Sequence, residues 1–428
     1  MIIRGHQGFF VRMLSSAVIV QAVLSAGSLG VGLILLRNAS DAQYGYYVLV
    51  LNALLLITAL QNQFIQPPMV HRMTLADAQG RADLIGGLFR EQRSLVPIVG
   101  GVAVVVALAL RIADVLSVHT TWLVLAAIAA AMATLYREFF RMVLLACRLP
   151  FQVMRVDSMY VVALVAGAYI ATFTPAPAAV AVSILCCAAL MSGWLLSRSL
   201  WRLEPWNIHG AYGILVKIFP VGSWTVAGAI IHWTFSQGYN YLIVGTLDVK
   251  AVAAAAATRL FMMPVNMLST GIGSLMLPTA SEWLLKHGTL TVFKRLAALC
   301  CALALVGIVY LSVVWLCRDW IFTKILHKQF AQRDLLLALW SVIFILMIFR
   351  DQMLFLLLAR TRYRQLTSLT FCSALLSLIV SYLCLVRIGV VGALIGVMSG
   401  EILSVVGLLV MGIIEVRRDA TALNLQRS

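Results

Sequence analysis

The chain of 428 residues is 62% hydrophobic and only 11% charged, and its mean hydropathy is +0.98. Soluble domains are closer to a quarter charged, so this composition excludes a soluble globular protein and predicts a polytopic membrane protein. The net charge of +16 is typical of basic residues retained on one side of a membrane, where they also attract anionic headgroups. Because no basic stretch alternates with aromatic residues in a soluble domain, nucleic-acid binding is not expected.

An apolar run of about 20 residues is long enough to span a bilayer as a helix. Twelve such runs follow one another along the chain, at 14–36, 46–68, 95–116, 121–147, 156–175, 177–198, 214–237, 248–277, 294–317, 335–359, 364–386 and 389–415. Most Lys and Arg residues fall in alternate connections, which predicts that both termini are cytoplasmic. The outer connection 318–334 is an exception with four basic residues, and we expect a short interfacial helix there over Trp320–Phe330.

The chain contains an internal repeat. The segment 136–152 aligns with 349–365 at an offset of 213 residues, so that Arg137 matches Arg350 and Glu138 matches Asp351. The repeat predicts an all-α fold of twelve transmembrane helices in two six-helix lobes, related by a pseudo-twofold axis along the membrane normal. We expect the lobes at 1–198 and 214–428, joined by an interfacial linker at 199–213, where Trp201 and Trp206 suit the headgroup region.

The repeated segment carries charges that are costly within a membrane. Adjacent helical residues point about 100° apart, so Arg137 is not expected to pair with Glu138. Arg141 follows Glu138 by three residues and is well placed to pair with it. Arg350 has no acid at helical spacing, and we predict that it pairs with Glu401 of the twelfth helix. Two interpretations remain for this network: ion pairs that fix helix packing, or direct handling of substrate or protons. Its members are Arg137, Glu138, Arg141, Arg350, Asp351 and Glu401.

Polar residues form stripes on four of the predicted helices, the first, second, seventh and eighth. Polar stripes in membrane helices face protein or water, not lipid, so they are either packing faces or lining of a cavity. Arg259 heads the stripe of the eighth helix, and a guanidinium beside a water-filled cavity suits phosphate binding. The side chains expected to contact a substrate are Arg259, Gln21, Ser25, Gln63, His232, Tyr239 and Asn266. Gly392, Gly396 and Gly400, spaced by four, indicate close helix packing.

The segment Arg259–Ser281, RLFMMPVNMLSTGIGSLMLPTAS, resembles the eighth-helix pattern of the lipid II flippases and of polysaccharide repeat-unit flippases. Both belong to the multidrug/oligosaccharidyl-lipid/polysaccharide exporter superfamily. The resemblance implies a V-shaped central cavity lined by the first, second, seventh and eighth helices. It also implies export of undecaprenyl-diphosphate-linked sugars by alternating access, with the arginine matching Arg259 in a cationic cavity. Lipid II flippases also carry arginines within the first two helices, and they have two additional C-terminal helices. This chain has neither feature.

These features favour a flippase for a surface-polysaccharide repeat unit, in the bacterial inner membrane. The expected partners are the lipid-diphosphate-linked oligosaccharide, membrane lipids and a polysaccharide polymerase, with the protein itself a monomer. Three alternatives are a drug cation antiporter on the same fold, a lipid II flippase, and a non-transporting scaffold for the polymerase. Drug antiporters typically keep an acidic residue in the first helix, and residues 14–36 contain none. Nothing in the sequence indicates catalysis, a cofactor or a metal site, and the eight cysteines form no C-x-x-C pair.

Overall fold

The computed structural model describes residues 22–147, 149–204, 206–207 and 212–427, and within these ranges the regular secondary structure is helical throughout. Because hydrocarbon offers no partner to backbone N–H and C=O groups, helices that satisfy these groups internally are the expected solution. The fold class predicted from the sequence, an all-α membrane protein with two lobes, is confirmed. The chain divides into two compact units, Met1–Ile230 and Ile231–Ser428.

The described part of unit 1 consists of six helices and the start of a seventh. The helices are α1 (Ala22–Asn38), α2 (Asp41–Leu75), α3 (Ala78–Ile112), α4 (Val118–Ala146), α5 (Pro150–Ala171), α6 (Pro177–Leu203) and the first part of α7 (Ile214–Thr246). The side chains of Ser40, Asp77 and Ser117 each accept a hydrogen bond from a backbone N–H in the first turn of α2, α3 and α4. Such caps replace the intrahelical acceptors that the first N–H groups lack.

Unit 2 contains the rest of α7 and the remaining helices. These are α8 (Val249–Leu260), α9 (Met263–Leu316), the short α10 (Arg318–Trp320), α11 (Arg333–Ala359), α12 (Tyr363–Ile388) and α13 (Val390–Arg427). Gly288, with φ at 75°, interrupts α9 and separates two successive helical segments. A π-helical turn at Ile321–Leu326 follows α10, so a short helical segment is present close to the predicted Trp320–Phe330 and begins slightly earlier in the chain. Its interfacial position stays a prediction.

Nine helices in the described ranges are long and apolar enough to cross a membrane, and α7 adds a tenth if its two arms, bent by 66°, form one span. The two predicted spans that fail this test are α1, of which 17 residues are described, and the broken eighth span. This eighth span differs from the prediction of one helix at 248–277, because α8 ends at Leu260 and α9 begins at Met263. Pro264, the second residue of α9, lacks the N–H that a continuous helix would need.

The boundary between the units falls within α7, whereas the sequence places a linker at 199–213. The reason is that the linker and the start of α7 bind to unit 1. Glu91 accepts hydrogen bonds from the backbone N–H groups of Ile214 and Leu215, each at 2.8 Å. The Thr225 hydroxyl donates to the backbone carbonyl of Gln63 at 2.6 Å. These contacts fix the start of α7 to α2 and α3.

The linker itself lies against α3. The backbone N–H of Asn207 donates to the carbonyl of Ala82 at 3.1 Å. Gly86 permits this approach, since a Cβ atom there would lie 1.5 Å from the Asn207 carbonyl oxygen. Trp206 is buried, with its ring centroid 5.2 Å from that of Phe89. The ring of Trp206 is thus covered by protein, whereas Trp201 is exposed. The headgroup position of these two residues stays a prediction.

The glycines predicted to allow close packing lie between α12 and α13. A Cβ atom on Gly392 would lie 2.3 Å from the backbone of Cys384, and one on Gly396 would lie 2.1 Å from the Ser381 hydroxyl. At this short separation the Ser381 hydroxyl donates to the backbone carbonyl of Ala393 at 2.9 Å. The prediction of close helix packing is confirmed, and larger side chains would force the two helices apart.

The capping contact from Glu91 gives a first testable prediction. Glu91→Ala removes both acceptors from the start of α7 and should lower the free energy of unfolding by about 1–2 kcal/mol. Glu91→Gln, which keeps one carbonyl acceptor, should have a smaller effect. The measurement is the thermal unfolding of the purified protein in detergent. Glu282→Ala is the control, because the pair of Glu282 with Lys286 is exposed. Equal melting temperatures for Glu91→Ala and Glu282→Ala would contradict this role.

Candidate functional site

Arg259 lies in the last turn of α8, close to the break in the eighth span. It is the eleventh residue of that helix, so at 1.5 Å per residue it is about 15 Å from the helix start. The hydrocarbon core of a bilayer is about 30 Å thick, so Arg259 lies near mid-depth if α8 begins at the membrane surface, as the predicted eighth span implies. The C-terminal end of a helix carries partial negative charge on its free carbonyl groups. The position at the end of α8 therefore offsets part of the cost of a cation at this depth.

The side chain of Arg259 is held by three aromatic or polar groups of unit 2. Its Nη1 atom donates to the Gln237 side-chain oxygen at 2.8 Å and to the Tyr239 hydroxyl at 3.2 Å. Its Cζ atom lies 5.4 Å from the centroid of the Trp340 ring. Tyr239 packs edge-on against the same ring, with the centroids 5.6 Å apart. The guanidinium is thus oriented by two elements, α7 and α11.

All of these partners are neutral. Among the described residues, no carboxylate lies within salt-bridge distance of Arg259, and no protein group accepts from its Nε or Nη2 atom. The side chain is only partly buried. A fixed cation with free N–H groups at membrane depth is a suitable partner for a phosphate or carboxylate oxygen.

Of the other described residues predicted to contact substrate, Tyr239 is the one that hydrogen-bonds to Arg259. Tyr239 belongs to the Arg259 group, but its hydroxyl is already engaged there, so it positions the guanidinium. His232 is exposed, and its electrostatic neighbours are Arg350 and Asp351, not Arg259. Asn266 follows the break, on α9. Gln21 lies outside the described residues, and Ser25 and Gln63 belong to unit 1.

Gln237 is a residue of this site that the sequence-based reasoning missed. It accepts the shorter of the two hydrogen bonds from Arg259. Residues two apart on a helix point to nearly opposite sides, so the spacing between Gln237 and Tyr239 gave no signal in the sequence.

A buried ion cluster in unit 1 contains four charged side chains. Arg137 donates to Asp157 and to Glu138, each at 2.5 Å. Arg141 donates to the second oxygen of Asp157 at 2.9 Å and to Glu138 at 3.3 Å. The Tyr160 ring covers Arg137, with the Cζ atom 4.0 Å from the ring centroid. Two cations and two anions balance each other within α4 and α5.

One expectation about this cluster is corrected by the structure, because Arg137 does pair with the adjacent Glu138. Arg137 also pairs with Asp157 of α5, a partner that was not predicted, and it is 3% exposed. Asp157 lies near the start of the apolar run 156–175. Since an acid within such a run needs a partner, this was the available signal.

A second ion cluster lies in unit 2, and the predicted pairing of Arg350 with Glu401 is found there. The Nη1 atom of Arg350 donates to Glu401 at 2.5 Å. Its Nε and Nη2 atoms donate to one oxygen of Asp351, at 3.1 and 2.9 Å. The Ser269 hydroxyl donates to the other Asp351 oxygen at 3.3 Å. This cluster joins α9, α11 and α13.

The fold resembles those of several solved transporters. A multidrug resistance MATE family transporter of the MOP superfamily, in an inward-facing conformation, aligns over 94% of this chain and 98% of its own, at 12% identity and a TM-score of 0.74. An outward-facing conformation of such a transporter aligns over 96% of each chain, at 12% identity and a TM-score of 0.65. A MOP superfamily transporter from Pyrococcus furiosus, for which reverse polarity of the binding pocket suggests a different function, aligns over 96% of this chain and 95% of its own, at 12% identity and a TM-score of 0.63.

No protein-family model matches the sequence, and no curated protein matches it. At 12% identity the structural likeness establishes the fold: this chain is a multi-pass membrane protein with the fold of MOP-superfamily transporters. The observed fold is thus that of the superfamily to which the Arg259 segment bears a resemblance. The particular branch, and with it the substrate, has to be inferred from the site.

The cluster in unit 1 predicts a large effect of Asp157 on stability. Asp157→Ala leaves two buried arginines with one carboxylate, which should cost about 3–5 kcal/mol. The measurement is the melting temperature and the yield of folded protein after detergent extraction. Asp114→Asn is the control, because Asp114 also pairs with an arginine but its side chain is 90% exposed, and asparagine tolerates the φ of 55° at this position. The control should cost no more than about 1 kcal/mol. Equal losses in the two variants would show that the cluster does not stabilise unit 1.

Proposed function

We propose that the protein is a flippase, which moves an undecaprenyl-diphosphate-linked oligosaccharide repeat unit across the bacterial inner membrane for surface-polysaccharide assembly. The observation that carries this proposal is Arg259, a positioned cation near mid-depth whose protein partners are all neutral. Alternating access between two lobes, as in transporters of this fold, would carry the headgroup across. Both chain termini are cytoplasmic in this proposal.

The chemistry of Arg259 suits a diphosphate. Its Nε and Nη2 atoms form one edge of the guanidinium fork, which binds two oxygens of a phosphate at once. Gln237 and Tyr239 hold the opposite side of the fork through Nη1, so the free edge is fixed in direction. A diphosphate brings the negative charge that the site lacks, and each then lowers the cost of burying the other.

The other groups on the substrate have separate requirements. Sugar hydroxyls need neutral donors and acceptors, which Gln21, Ser25, Gln63, His232 and Asn266 offer in this proposal. Tyr239 is not among these contacts, because it orients Arg259. The prenyl chain is as apolar as lipid and remains in the bilayer. Only the polar headgroup then has to enter the protein, and a polysaccharide polymerase would use the exported unit.

A drug cation antiporter is the second candidate, and the observation that favours it is the similarity to structures of multidrug resistance transporters. A cationic drug needs an acidic site. The described residues of α1 include no Asp or Glu, and Arg259 would repel a cation. The Pyrococcus furiosus transporter, in which reverse polarity of the binding pocket suggests a different function, supports the view that this fold accepts sites of other charge.

The test is deletion of the gene in its host, followed by complementation with variants. Loss of the protein should reduce surface polysaccharide and cause the lipid-linked repeat unit to accumulate. Arg259→Ala should fail to restore export at a normal protein level. Arg259→Lys keeps the charge but loses the bidentate fork, so we expect export roughly ten-fold or more below that of the wild type.

Arg387→Ala is the matched control, because Arg387 is an exposed arginine at the end of α12. It should restore export in full. Normal export by Arg259→Ala would overturn the role of Arg259. A deletion strain with normal polysaccharide and increased sensitivity to cationic drugs would favour the antiporter instead.

A further inference from the structure

The two buried ion clusters share a repeated pair of adjacent residues, Arg137–Glu138 and Arg350–Asp351, but differ in their charge balance. At the offset of 213 residues, Arg141 of unit 1 corresponds to Leu354 of unit 2. Unit 2 therefore lacks the second arginine, while it still contains two carboxyl groups, those of Asp351 and Glu401. With both carboxyls ionised, the unit 1 cluster has no net charge, whereas the unit 2 cluster carries one negative charge.

The two carboxyl groups of unit 2 are unequally satisfied. Asp351 accepts three hydrogen bonds, two from Arg350 and one from Ser269, and these suit an ionised carboxylate. Glu401 accepts one, from Arg350 to its Oε1 atom. Its Oε2 atom is buried and has no hydrogen-bond partner among the described residues, and the residue is 3% exposed. Of the two, Glu401 is the group for which the ionised form is least stabilised.

Among the described residues, Arg350 is the one cation that pairs with Glu401. The charged groups that α11 contributes to this cluster are Arg350 and Asp351, and on α9 the Cys300 thiol is an electrostatic neighbour of Asp351. On α7, the Phe235 ring lies 5.7 Å from the Arg350 Cζ atom. His232 is an electrostatic neighbour of Arg350 and Asp351, but its imidazole makes no salt bridge with either carboxyl. On α12, Ser373 and Ser377, which adjoin Gly400, are neutral.

We propose that the Arg350–Asp351–Glu401 cluster is a proton-binding site, in which Glu401 carries one exchangeable proton and Asp351 remains ionised. The proton bonds to the carboxyl of Glu401 and gives a cluster with one cation and one anion, as neutral as that of unit 1. Release of the proton to water leaves the carboxylate with its negative charge. This inference concerns the cluster alone and is independent of the transported substrate.

A metal cation is a poor occupant of the same site. Arg350 already donates to both carboxyl groups, so a positive charge faces the oxygens that a metal ion would need. The described groups around it offer few oxygen ligands beyond the two carboxyls and the Ser269 hydroxyl. Hard cations such as Ca²⁺ need six or more oxygens. A proton needs only one free carboxyl oxygen, which Glu401 has in Oε2.

The test is infrared difference spectroscopy on the full-length protein in lipid nanodiscs, recorded as the pH is raised from acid to alkaline. The carbonyl stretch of a protonated carboxylic acid is separated from that of a carboxylate. We expect the wild type to lose one buried protonated-acid band and Glu401→Gln to lack that band. Asp351→Asn should lack it as well, because Glu401 would then balance Arg350 and remain ionised throughout.

Glu138→Gln, in the balanced cluster of unit 1, is the matched control and should keep the band. Each variant is first checked for a single peak in size-exclusion chromatography. If a variant does not fold, the titration of the wild-type protein alone tests the proposal. Absence of the band from the wild type would overturn the proposal. So would its survival in Glu401→Gln or in Asp351→Asn, its loss in His232→Gln, or its suppression by Na⁺ at constant pH.

Discussion

The high cost of an unpaired charge in hydrocarbon is the constraint on which this structure depends. In unit 1, two arginines pair with two acids, so no charge is left over, and these ion pairs join α4 to α5. In unit 2 Arg350 ties α11 to α13. Each cluster draws its ion-pair partners from helices of its own unit.

Arg259 departs from that rule, and the local structure explains how it is tolerated. The break after α8 places a helix C-terminus beside the guanidinium, and Gln237, Tyr239 and Trp340 supply neutral partners. The broken helix itself needs partners for its free backbone groups, and the Tyr310 hydroxyl donates to the Phe261 carbonyl at 3.0 Å. The charge is therefore positioned but not neutralised, which leaves an anion as its complementary ligand.

Sequence reasoning correctly predicted most of the helical spans and the Arg350–Glu401 pair, because hydrophobic length and the scarcity of charges in membrane helices leave few solutions. It missed Asp157, although the search for partners of Arg137 needed an acid on a neighbouring helix. Helical spacing reports neighbours within one helix, and a partner on another helix depends on packing. The same limit applies to Gln237, whose side chain reaches Arg259 from α7, and to the linker, which packs onto α3 through backbone contacts that no side-chain pattern indicates.

Arg259 is the residue that we propose binds the diphosphate. The most direct measurement is equilibrium binding of undecaprenyl diphosphate to the purified protein in nanodiscs, with native mass spectrometry as the detection method and salt concentration as the variable. We expect binding by the wild type that weakens with salt, is weaker for the monophosphate, and falls at least about ten-fold in Arg259→Gln. Arg387→Gln should bind as the wild type does. Equal affinity in Arg259→Gln and the wild type, or preferential binding of a cationic compound, would contradict the claim.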